Sequence, residues 1–241
     1  MGGAPAQITL HQTVISHPCM AVRSALELKG LDYETVDYQI SPQRAEAIEE
    51  IFGEGRRTVP GVVLGDEKVH GSVAIMQRLE ELSPEPPLYP PEASEEFREA
   101  ERWADEVFQD VARRLPFAAL HFRPEKAGTY AGVDELDPAG TDAAIQGLRS
   151  IWKWQGITAV RTAEDLAALP GQLDYIDELD AKGMLGGETP SAVGLQIAST
   201  TRVLLALGDL VPLIEPRAAG RIARELYPDY PGDVPAGAFP A

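Results

Sequence analysis

The run TVPGVVLGDEKVHGSVAIMQRLEEL, residues 58–82, is the most informative stretch of this 241-residue chain. Gly61-Val62-Val63-Leu64 reads as a short apolar strand, Gly65-Asp66-Glu67 as a turn, and Lys68-Val69-His70 as an antiparallel return. Ser72 then opens a helix whose Ile75, Met76, Leu79 and Leu82 recur at helical spacing and form a buried stripe. A hairpin that runs straight into an amphipathic helix is only part of an α/β layer, so its complement is sought upstream.

Upstream, Ile8-Thr9-Leu10-His11-Gln12 reads as a strand. The stretch Cys19 to Lys29 reads as a helix with Val22, Ala25 and Leu26 on one face, an Arg23–Glu27 pair, and Gly30 as its stop. A second strand falls within Tyr33 to Tyr38. Pro42 to Phe52 is a weaker helix, with Ala45, Ile48 and Ile51 or Phe52 at helical spacing. The order βαβ, helix, hairpin, helix over residues 1–82 makes an α/β unit of thioredoxin size.

Downstream the pattern breaks. Ser83 to Pro91 packs five prolines into nine residues, which ends the helix and marks 83–93 as a semi-rigid linker. Residues 94–226 are helical in character. Ser94 suits the cap of a helix that starts at Glu95-Glu96 and ends near Arg113-Arg114, with a stripe of Phe97, Ala100, Ala104, Val107, Phe108, Val111 and Leu115. Further helices are expected from Ala139 to Trp154 and from Thr162 to Ala181, the latter split by Pro170. The helix from Ser191 to Leu207 is apolar on nearly every side and is expected at the centre of its domain. Residues 227–241 hold four more prolines and read as a draped tail. The pattern therefore predicts an α/β N-terminal unit of thioredoxin size plus an all-α C-terminal domain.

Composition narrows the function. With 44% hydrophobic and 24% charged residues, the chain carries enough apolar side chain for a core. Its net charge of −17 argues against a protein built on nucleic-acid phosphates or on an anionic membrane surface. One cysteine excludes an intrachain disulfide and a multi-cysteine zinc site, and His11, His17, His70 and His121 show no ligand spacing, so no metal is expected. Met1 to Pro5 lacks the features of a secretion signal, and Gln196, Arg202, Asp209 and Pro212 interrupt the most apolar stretch. A cytoplasmic location is the expectation. No phosphate-binding loop, dinucleotide fingerprint or nucleophile elbow is present.

Three short segments carry chemistry. Ser16-His17-Pro18-Cys19 joins the first strand to the first helix, where unpaired N–H groups and the helix dipole favour a thiolate. Taken alone, Cys19 equally suits a small buried hydrophobe, and Ser16 better suits a turn or cap serine. Val59-Pro60 directly precedes a strand and suits a cis peptide that leaves the Val59 backbone able to pair with an extended ligand. His70-Gly71-Ser72 heads the next helix, where Ser72 suits either a cap or a carboxylate contact. Elsewhere, Trp103, Trp152 and Trp154 fit core packing better than an acceptor pocket, and Tyr130 and His121 are placed near the interdomain cleft. Asp174, Asp177 and Asp180 fit a solvated acidic face better than a cation site.

In order and spacing, these segments resemble the glutathione transferase superfamily over residues 8 to about 225, which implies an α/β thioredoxin-like N-terminal domain plus an all-α C-terminal domain. The resemblance implies that Val59, with Pro60, offers its backbone to the cysteinyl part of glutathione, and that Ser72 receives the γ-glutamyl carboxylate. It aligns Ser16 with the residue that activates the thiol in serine- and cysteine-type members. Cys19 falls where glutaredoxin-like proteins carry the second cysteine of their pair. Three positions depart from the pattern. Gly71 stands where an acidic residue usually holds the γ-glutamyl ammonium, His17 separates Ser16 from Pro18, and Gly194 replaces the aspartate of a capping box at Ser191.

The resemblance implies an enzyme that activates a small thiol, glutathione or an analogue, as co-substrate and transfers it to a hydrophobic electrophile held by the helical domain. It implies no permanently bound cofactor, no nucleic-acid or membrane partner, and a homodimer. Ser16 and Cys19 are the candidate catalytic residues, and Val59, Pro60, Gly71 and Ser72 the candidate thiol-binding ones. Thiol–disulfide exchange or deglutathionylation through Cys19, and a non-catalytic binding protein, are the alternatives.

Overall fold

The computed structural model describes residues 7–90 and 94–239. The expectations for Met1 to Pro5, for Pro91 to Ala93 of the linker and for Pro240 fall outside the described residues. The chain forms two compact units: residues up to Glu101 with Leu185–Gln196, and Arg102–Met184 with the remainder from Ile197.

The first unit holds a four-stranded sheet of β1 (Ile8–Gln12), β2 (Glu34–Asp37), β3 (Gly61–Leu64) and β4 (Glu67–His70), ordered β2-β1-β3-β4. β1 runs parallel to β2 and antiparallel to β3, and β3 antiparallel to β4. Between the strands lie α1 (His17–Leu28), α2 (Pro42–Phe52) and α3 (Ser72–Leu82). Leu10, Val62, Val22, Leu26, Ile75 and Leu79 make the core of this mixed layer. Helix α1 begins two residues before its predicted start because Pro18, whose fixed φ suits a first turn, brings His17 into the helix. It ends in a left-handed glycine cap: Gly30 has φ +61°, its N–H donates to Glu27, and Leu31 N–H reaches back to Leu26.

The expected Arg23–Glu27 pair does not form. Arg23 turns to Gln12 and Val14, and Glu27 accepts from the Tyr33 hydroxyl. The Phe52 ring lies so close to Gly61 that a Cβ there would stand 2.3 Å from it, which explains why this strand opens on glycine. Buried Lys29 ties the unit together. Its ammonium donates to Glu80 Oε2 at 2.6 Å and to the carbonyls of Ser83 and Pro86 at 2.5 and 3.1 Å, while Glu80 also accepts Leu88 N–H.

Ser94 caps α4 (Glu95–Trp103), accepting Phe97 N–H at 3.2 Å. A π-helical turn, Ala104–Phe108, leads into α5 (Gln109–Phe122), so the helical run passes the predicted stop at Arg114 by eight residues. The wider turn also shifts the phase. Ala104 and Phe108 stay inside, while Val107, assigned to the stripe from strict α spacing, is 43% exposed. Then follow a 3-10 segment (Pro124–Ala131), α6 (Pro138–Gln155), α7 (Ala159–Ala181), α8 (Ala192–Leu204), α9 (Val211–Ile214) and α10 (Ala218–Leu226). Pro170 does not split α7. It sits on an exposed face, where water can satisfy the carbonyl that proline leaves unpaired.

Ser191 caps α8 by accepting Gly194 N–H at 3.0 Å. A Cβ on Gly194 would come within 2.0 Å of the Leu185 carbonyl oxygen, so close packing accounts for the missing aspartate. In the second unit, Asp174, Asp177 and Asp180 are neither a cation site nor a bare acidic face: Arg217 pairs with the first two and Arg221 with the third. Trp103 stacks on Phe108 and meets Tyr175 edge-on, and Trp152 donates to the Phe117 carbonyl, but Trp154 is 67% exposed. The tail, as expected, forms no helix or strand among its described residues, and it is fastened where it lies. Val234 exchanges backbone bonds with Ala206 and Gly208, and Asp209 accepts the N–H groups of Gly237, Ala238 and Phe239.

Candidate functional site

Sheet register brings the three chemistry-bearing segments to one edge. His11 of β1 stands beside Gly61 of β3, and Gly61 beside His70 of β4. The turn after β1, the Val59-Pro60 step before β3 and the Gly71-Ser72 step after β4 therefore leave the sheet at the same end. Rings gather along this row: His11 meets Phe52 edge-on, Phe52 meets His70, and His11 Nδ1 lies 2.9 Å from the Tyr38 hydroxyl. Burial lowers the pKa of His11, which favours its neutral form.

Ser16 is the N-cap residue of α1, in extended conformation, and its side chain makes no capping bond. The turn before it closes through Ser16 N–H donating to the Thr13 carbonyl at 3.0 Å. Its hydroxyl interacts instead with the thiol of Cys19, three residues into the helix and fully buried. Burial pushes the Cys19 thiol up. The Ser16 hydrogen bond, a Thr13 backbone bond and the charges of Arg23 and Arg44 oppose that rise without cancelling it.

The Val59-Pro60 peptide is cis. Among the described residues, no hydrogen bond engages the Val59 backbone. The neighbouring groups are tied down: Gly71 N–H donates to the Pro60 carbonyl at 3.0 Å, and His70 Nε2 lies 2.8 Å from the Thr58 carbonyl. Gly71, not Ser72, is the N-cap of α3, with φ +94°. A Cβ there would meet nothing within 4 Å, so space is open, but the backbone conformation disfavours any other residue. Ser72 is the first helical residue and is buried.

Two arginines at this edge are not among the site residues expected from sequence. Arg23 bonds Gln12 and Val14, an arrangement hidden behind its apparent pairing with Glu27. Arg44 of α2 is partly buried with its Nε unpartnered, and burial lowers its pKa. Its only sequence cue was a basic residue beside the apolar positions of a weak helix. A separate cavity of about 430 Å³ lies in the second unit, where Thr129, Tyr230 and Asp233 are among its walls, and none of the predicted site residues lines it. Among the described residues, no group of three or more histidine, cysteine or acidic side chains is placed to hold a metal ion. No described helix is long and apolar enough to cross a membrane.

Residues 10–87 match the family model of the glutathione S-transferase N-terminal domain. Glutathione S-transferase Z1 of Arabidopsis thaliana is 44% identical over 71 residues, 29% of this chain and 31% of that protein. Glutathione S-transferase Z2 of the same plant is 38% identical over 87 residues, 35% of this chain and 38% of its own. The match thus spans about a third of the length of these curated relatives. Among solved structures, a glutathione S-transferase from Sinorhizobium meliloti 1021 superposes with a TM-score of 0.60 at 18% identity, covering 96% of this chain and 97% of that one. At such identity the likeness is one of fold: a thioredoxin-like domain followed by helices.

Proposed function

We propose that this chain, whose residues 10–87 match the glutathione S-transferase N-terminal domain, activates a low-molecular-weight thiol and transfers it to an electrophile. Glutathione is the first thiol to test. In this reading the thiol lies along the sheet edge. The free Val59 backbone pairs with its cysteinyl part, the Pro60 cis peptide shapes that contact, and Ser72 with the α3 N-terminus takes a carboxylate. The observation that carries the reading is Ser16, whose hydroxyl stands at the head of α1 without a capping bond.

The chemistry follows from that placement. The co-substrate thiol loses its proton to solvent, and the Ser16 hydroxyl donates to the resulting thiolate, helped by the positive end of α1. The sulfur lone pair forms a bond to the electrophilic carbon, and the leaving group departs with its bonding pair. Cys19 supports the alternative of disulfide exchange less well, because a buried thiol with a raised pKa is a poor nucleophile. Gly71 motivates a second reading, a binding protein without turnover, since its position offers no charge to a γ-glutamyl ammonium. A cytoplasmic homodimer with no permanent cofactor completes the proposal.

Conjugation of reduced glutathione to 1-chloro-2,4-dinitrobenzene tests it, beside calorimetric titration with glutathione. Ser16→Ala should lower kcat/KM by about 100-fold, the scale for losing one preorganised donor, while Cys19→Ala keeps it within about threefold, a change of less than 1 kcal/mol. Loss of activity in Cys19→Ala with Ser16→Ala unaffected would reverse the roles. An absence of saturable binding at millimolar glutathione would remove this thiol and favour another thiol or the binding protein.

A further inference from the structure

Arg23 lies on α1 one helical turn beyond Cys19, and its guanidinium forks between two anchors. Nη1 donates to Gln12 Oε1 at 2.5 Å and Nη2 to the Val14 carbonyl at 3.1 Å. Gln12, buried at the end of β1, passes the connection on, donating through Nε2 to Asp37 Oδ1 on β2 at 2.8 Å. Val14 belongs to the turn that Ser16 N–H closes on the Thr13 carbonyl, and the Thr13 hydroxyl donates to the Tyr38 carbonyl at 2.9 Å. The turn that delivers Ser16 is thus held at Thr13 by the chain following β2 and at Val14 by Arg23.

We infer that Arg23 is a positioning residue: by fixing the Val14 carbonyl it sets where the Ser16 hydroxyl meets the thiol sulfur. This rests on the role proposed for Ser16. The requirement is for a planar fork and not for charge alone: Nη1 and Nη2 reach the two acceptors from two nitrogens held apart in one plane, whereas an ammonium offers all its donors from a single nitrogen on a more flexible stem. Arg23 is only partly buried, so replacing it removes the hold on the turn while the apolar face of α1 stays intact.

The test combines the glutathione conjugation assay on wild type, Ser16→Ala, Arg23→Lys and Arg23→Met with amide hydrogen exchange over residues 13–16. Both Arg23 variants should lower kcat by about tenfold, within the cost that small misplacement imposes on a reacting group. The KM for glutathione should change by less than about twofold, which marks an effect on the transition state and not on binding. Exchange at Ile15 and Ser16 should quicken at least fivefold, roughly the loss of one hydrogen bond, with Ala25 to Leu28 unchanged. Arg23→Lys with wild-type kcat overturns the inference, whether or not exchange rises. A lower kcat with unchanged exchange overturns it as well, since charge alone would then be responsible. Should the Arg23 variants fail to fold, Gln12→Met removes the other anchor and is read by the same two measurements. Ser16→Ala with full activity sinks the functional proposal itself, and the positioning role falls with it.

Discussion

Three residues into α1, Cys19 feels two opposed influences: the open end of a helix and complete burial. Burial is the larger, so the thiol stays protonated at neutral pH. The sign of the linkage is set by that direction. Above about pH 8.5, the ordinary cysteine value, the unfolded chain releases a proton that the folded chain retains, and stability falls as pH rises. Urea midpoints measured from pH 8 to 10 should therefore drop more steeply for wild type than for Cys19→Ala, and iodoacetamide should label Cys19 only after unfolding. Equal slopes would show the thiol to be ordinary. Sequence alone left Cys19 open between a reactive group and a small hydrophobe, because position on a helix is legible in spacing whereas depth beneath the surface is not. Gly71 was legible as a departure, but its φ of +94°, which disfavours an acidic side chain there, was not.

Among the elements, the best-read were those with strong local signals. β1, β3 and α3 match their predicted bounds because turn residues and apolar spacing agree there, and α2, weaker in its apolar spacing, matches because Ser41 caps its start and Gly53 ends it. Errors arose where a distant partner or a non-standard turn decides. Val107 left its stripe because the π-helical turn widens one revolution. Pro170 stayed inside α7 because its face is solvated. Lys29 drew no comment in sequence, yet its partners lie 51 to 57 residues away. Lys29→Met should cost about 3 kcal/mol, the scale for orphaning one member of a buried ion pair, and a urea titration measures it. Glu80 keeps the Leu88 N–H, so a cost under 1 kcal/mol would mean that the carbonyl contacts of Lys29 hold nothing.

At the scale of the whole molecule, 38 acidic against 21 basic side chains leave a net charge of −17. Local pairing, such as Arg217 and Arg221 along the α7 aspartates, relieves only part of the repulsion. Such exposed pairs contribute about 0–1 kcal/mol each, so screening should relieve more strain than it removes attraction. The thermal midpoint should accordingly rise between 20 and about 300 mM salt, where the screening length contracts to well under 10 Å. A fall would assign the ion pairs the larger share. The tail's lack of regular structure is legible in its prolines, but its fastening at Asp209 is not, because the partners lie 28 to 30 positions away.

The division of the chain has a consequence for protein engineering and for the way such chains recombine. The first unit is not one uninterrupted segment: Leu185–Gln196 belongs to it, and Ala192 N–H donates to the Leu88 carbonyl at 2.8 Å. A fragment excised where the family model ends, at residue 87, would leave behind both Leu88 and the segment that pairs with it. A working transplant of this domain into a chimera therefore carries two pieces of chain, and a crossover placed between them separates residues that fold together.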